Sequence, residues 1–72
     1  MQREIDAERE KRIEELTSFA KDQLQVRGFP PFRKSFIQVI AREAQVRYHV
    51  TWLTAWDYAA NAAEIVLRER TH

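Results

Sequence analysis

The sequence predicts an all-α fold, a three-helix bundle, and three observations carry that prediction. Apolar residues recur at helical spacing along most of the chain, as in Ile13, Leu16, Phe19, Ala20 and Leu24. The single glycine and both prolines fall together in RGFPPF, which marks one clear interruption. β-branched residues are too scattered to build a sheet. Helices are expected near 3–26, 32–47 and 51–70, within a single domain covering residues 1–72.

The first helix should bury Ile5, Ile13, Leu16, Phe19, Ala20 and Leu24 along one face. Gly28 stands where a C′ residue belongs, with Phe29 as its apolar companion and the prolines blocking continuation. Residues 1–12 differ from the rest of the helix. Glu4, Asp6, Glu8, Arg9, Glu10, Lys11 and Arg12 leave only Ile5 and Ala7 to bury. A pair such as Glu8 and Arg12 contributes roughly 0.2 to 0.5 kcal/mol, too little to hold a lone turn. This charged arm is expected to fray or to dock on something else.

The second helix can start at Pro31, which suits the N1 position, or at Ser35, whose Ser-x-x-Gln pattern to Gln38 forms a capping box. Phe32, Phe36, Val39, Ile40 and Ala44 form its expected buried face. Arg33, Lys34, Gln38, Arg42 and Gln45 point largely the other way. The pattern slips at 47–50, and Thr51 is then a suitable N-cap for the third helix.

That third helix carries the main inference. Thr54, Asp57, Asn61, Glu64 and Arg68 are spaced three and four apart, so they form one narrow polar seam. The rest of the circumference is apolar, which is the signature of a buried helix. Two neighbours, each presenting a face roughly 100° wide, would struggle to cover it. Ala55, Ala59, Ala60, Ala62 and Ala63 would let another helix approach closely. Assembly into a helical homo-oligomer, or onto a larger protein, is therefore expected, with Trp52, Trp56, Ala59, Ala63 and Val66 at the interface. A central helix in a three-helix monomer is the competing possibility, since alanine tolerates solvent well.

Bulk properties narrow the function. A domain of 72 residues buries only about 60% of its unfolded surface, and no cysteine is present to staple it. Net charge is +1, too balanced for binding polyanions by bulk charge alone. The charged N-terminal stretch lacks the apolar core of a secretory signal, and Asp57, Asn61 and Glu64 spoil the longest apolar run as a membrane span. A cytoplasmic protein that does not engage membranes is expected.

Charge is partitioned along the chain, with net −2 over 1–26, +4 over 27–49 and −1 over 50–72. Phosphate or an acidic partner could dock on the basic middle segment. The stretch IAREAQVRYHVTWLTAW resembles the helix-turn-helix family over about 20 residues. Ile40, Ala41, Ala44 and Val46 match that motif's apolar and small positions. Gln45 replaces the usual turn glycine, Thr51 and Thr54 stand where aliphatics are usual, and Val50 and Leu53 are one residue out of register. The resemblance implies Arg47, Tyr48, His49 and Thr51 as groove-facing side chains, and the basic segment adds Arg33, Lys34 and Arg42 as candidate nucleic-acid or anion contacts.

Trp52 and Trp56 lie one turn apart and should stack on one face, with Tyr58 turned away. Catalysis is not expected: His49 and His72 have no carboxylate at a recognisable spacing. No pattern of metal ligands and no glycine-rich phosphate loop is present, so no metal or cofactor is expected. The sequence thus favours a small non-enzymatic interaction or assembly module working through its apolar third helix. A small nucleic-acid-binding protein is the alternative.

Overall fold

A computed structural model describes residues 2–27 and 33–70, with side chains for 6–26 and 33–69. It contains helices α1 (Gln2–Arg27), α2 (Arg33–Tyr48) and α3 (Trp52–Arg70), and no strand among the described residues. The fold is all-α. Gly28, Phe29, Pro31 and Phe32 lie outside the described residues, as do His72 and the side chain of Ile5.

Each boundary has a local cause. α2 ends because His49 adopts a left-handed backbone with φ 54°. Its N–H donates to the Gln45 carbonyl at 3.0 Å, which closes the last turn. The Gln45 side-chain amide then donates to the Val50 carbonyl at 3.4 Å. Thr51 caps α3 as expected, its Oγ1 accepting from the Thr54 N–H at 3.3 Å. Ser35 is not a cap. α2 already begins at Arg33, so the Ser-x-x-Gln pattern falls inside the helix.

The helix-turn-helix register needs a second correction. α2 runs straight through Gln45, and Val46, aligned with the first buried residue after the turn, is instead a helical residue left 73% exposed. Nothing at Gln45 favours the left-handed conformation. The chain reaches it four residues later, at His49, one of the side chains that tolerate it better than most.

α3 lies at the centre of the packing, against both α1 and α2. α1 runs alongside it in the same direction, since Arg9 pairs with Asp57 at 3.1 Å and Lys21 with Glu69 at 3.1 Å. α2 returns in the opposite sense, its first residue Arg33 pairing with Glu64 while its last, Tyr48, packs on Tyr58. From Arg9 onward the charged arm is therefore tied to α3 of its own chain.

The core contains Ile13, Leu16, Ala20 and Leu24 from α1, Phe36, Ile37, Ile40, Ala41 and Ala44 from α2, and the inner face of α3. Val39 and Phe19 are only partly buried. Thr17 is buried as well, its hydroxyl donating to the Ile13 carbonyl at 2.7 Å, and among the described residues no buried side-chain polar atom lacks a partner. Full burial of Leu16, Ile40 and Val66 stabilises by roughly 1.5 to 3 kcal/mol each.

The inner face of α3 is Ala55, Tyr58, Ala59, Ala62, Ala63 and Val66. All five aliphatic members are essentially without solvent contact, covered by the chain's own α1 and α2. This closure is more complete than the apolar circumference of the sequence predicts. With methyl groups in place of longer side chains, neighbouring backbones come close, and two helices shield more of the circumference than they otherwise would.

Candidate interaction surface

Closure by α1 and α2 leaves apolar side chains uncovered at the start of α3. Leu53 is 82% exposed and Trp52 39%, with Trp56 half-buried beside them. The indoles sit on one face as their spacing predicts, with centroids 5.7 Å apart and planes tilted by 50°. Together with Lys34 and Gln38 of α2 they line a shallow groove between α2 and α3. The Lys34 ammonium is exposed at its edge and has no ion pair among the described residues.

The other expected interface residues lie elsewhere. Ala59, Ala63 and Val66 are buried beneath α1 and α2, so they hold this chain's helices together and do not present a surface. Only the N-terminal part of α3 faces outward with its aromatic groups.

The candidate anion-binding residues separate in the same way. Arg33 is paired with Glu64, and Arg47 donates to Glu43 at 2.7 Å while lying over the Phe19 ring at 5.4 Å. The Arg47 guanidinium is held protonated more firmly than usual, mainly by that hydrogen bond. Tyr48 is tied up inside the molecule. Lys34, Arg42, His49 and Thr51 remain exposed, and Thr51 is engaged as the helix cap.

Tyr48 belongs to a junction of all three helices that sequence reasoning missed. The Arg12 guanidinium lies 4.9 Å from the Tyr48 ring centroid and 5.9 Å from that of Tyr58. It donates to the Tyr58 hydroxyl at 3.2 Å and to Glu8 at 2.5 Å. The two phenol rings meet edge to face at 6.3 Å. Tyr48 donates its own hydroxyl proton to Glu15 at 2.5 Å. Burial, reinforced by that carboxylate, pushes the Tyr48 phenol up to about 12. A clue existed in the arm, where Arg12 shares a helical face with the buried positions Leu16 and Ala20.

The seam on α3 is the exposed side of that helix. Asp57 accepts from both Arg9 and Asn61, and Glu64 from Arg33 and Arg68. Among the described residues no group of three or more acidic or histidine side chains converges as a metal site would require. Among the described residues no helix is long and apolar enough to cross a membrane. No family model matches the chain, and comparison with curated proteins and with solved structures also found no match.

Proposed function

We propose that this chain is a non-enzymatic helical interaction module that binds protein through the Trp52, Leu53 and Trp56 face. One observation carries the reading. The hydrophobic core is closed by the chain's own helices, yet the two indoles and Leu53 are left together at the surface. Tryptophan is the residue type most enriched at binding hot spots, because it removes a large rigid area from water at little cost in side-chain entropy. Lys34 beside the groove favours a partner surface that brings a carboxylate to it.

A photo-crosslinking side chain placed at position 53 tests this, with the same group at exposed Asp22 as control. The reading expects covalent protein adducts from position 53 and none from 22. Failure to capture any protein at 53, in the purified protein and in cells producing it, contradicts it. The identity of the captured protein does not matter to this reading.

Nucleic-acid binding is the second reading, favoured by the exposure of Lys34 and Arg42 without ion pairs among the described residues. It expects retardation of duplex DNA that weakens steeply with salt and disappears in the Lys34→Glu, Arg42→Glu double variant. With Arg33, Arg47 and Tyr48 engaged inside the chain, few cations remain for phosphate.

A further inference from the structure

A second apolar groove runs along the opposite flank of α3, between α3 and α1, and its charge is of the other sign. It is lined by Ile13, Thr17, Asn61 and Ile65, with Glu10 and Glu14 beside them. Ile65 is 40% exposed. Glu10 and Glu14 are exposed and have no ion pair among the described residues, whereas Asp57, Glu64 and Glu69 on α3 are all paired. Asp57, Glu64 and Arg68 of the polar seam separate this groove from the one edged by Lys34, and Asn61 forms its near wall.

From this we infer that the partner is a second copy of this chain, docked head to tail. The Leu53 and indole face of one copy seats on the Ile13 and Ile65 groove of the next. The inference rests on the interaction reading above and supplies its partner. Two features of the surface support it. Leu53, 82% exposed, is a projecting knob on one flank, and the isoleucine groove on the other flank is apolar and open. The unpaired charges match too, since Lys34 of one copy meets Glu10 and Glu14 of the next. Patch on identical patch would bring two Lys34 ammonium groups together in place of opposite charges. Because the two faces differ, each copy keeps one of them unused, so association continues past the dimer into a ring or a filament. Both faces are small, so each contact is weak and sensitive to salt.

Two variants, each blocked on one face, test this by sedimentation or light scattering. Leu53→Asp disables the indole face and Ile65→Asp the isoleucine groove, with circular dichroism confirming that both remain helical. The wild-type chain should show a mean mass that climbs past twice the 8.6 kDa monomer as concentration rises. Each variant alone should stay monomeric, and an equimolar mixture should form a 1:1 complex and stop there. Should either aspartate variant unfold, the exposed charge changes Lys34→Glu and Glu14→Lys replace the pair. Each alone should weaken association at least tenfold, and combining both changes in one chain should restore it. A wild-type chain that stays monomeric into the millimolar range overturns the inference, as does a mixture that remains monomeric. Dissociation by Leu53→Asp with no effect of Ile65→Asp also overturns it, while leaving the interaction reading intact. So does capture at position 53 of some other protein in place of this chain.

Discussion

Two aromatic pairs flank the passage from α2 to α3, and they are finished differently. Tyr48 and Tyr58 meet edge to face with Arg12 against both rings, and each phenol oxygen has a charged partner. Trp52 and Trp56 touch one another across the turn, and part of each indole stays in contact with water. The tyrosine end joins all three helices and is completed within the chain. The tryptophan end involves only α2 and α3, because α1 runs along the other flank of α3. What differs is therefore coverage, since the indoles and Leu53 lie on a flank that α1 does not reach.

The largest effect should come from breaking the closed end. Tyr58→Ala removes a buried ring and leaves Arg12 without its hydroxyl partner, which should cost about 3 to 4 kcal/mol in urea unfolding. Trp52→Ala, at the open end, should cost about 1 kcal/mol or less, since that indole is already 39% exposed. Similar losses from both substitutions would erase the distinction between the two ends.

A subtler probe is the Tyr48 hydroxyl. Tyr48→Phe should cost about 1 kcal/mol at neutral pH, by losing the bond to Glu15. Its pH dependence is more specific. The folded state raises this phenol from its ordinary 10 to about 12, so it favours the neutral form. The contribution is complete below pH 10 and is lost as pH rises toward 12. Unfolding curves across that window should therefore converge for the wild type and Tyr48→Phe. A constant gap would contradict the assignment.

One expected change is a gain. His49 holds a left-handed backbone at φ 54° that glycine adopts without steric cost. His49→Gly should stabilise the chain by about 1 kcal/mol without altering either aromatic pair, measured by thermal unfolding.

Much of this architecture is legible in the sequence. The RGFPPF interruption, the 3.6-residue spacing and the Thr51 cap place each described helix end within about a residue of its observed position. The tryptophan pair is legible too, because a one-turn separation fixes which side chains share a face. Contacts between helices are harder to read. Arg12, Tyr48 and Tyr58 belong to three different helices, and no local spacing brings them together. The alanines of α3 show the opposite ambiguity, since small side chains permit close approach without revealing whose helix approaches. Here the approaching helices belong to the same chain, so Ala59 and Ala63 are core, and of the residues expected at an interface only Trp52 and Trp56 keep solvent exposure.

The core is complete in one chain, and Leu53 at the tryptophan face is surplus to it. Unfolding of Leu53→Asp, followed over a wide range of protein concentration, tests that most directly. The prediction is a helical monomer of 8.6 kDa whose unfolding midpoint is independent of concentration and whose stability lies within about 0.5 kcal/mol of dilute wild-type protein. A variant that loses its helicity, or one whose midpoint falls steadily on dilution, would mean that the fold itself requires a second chain.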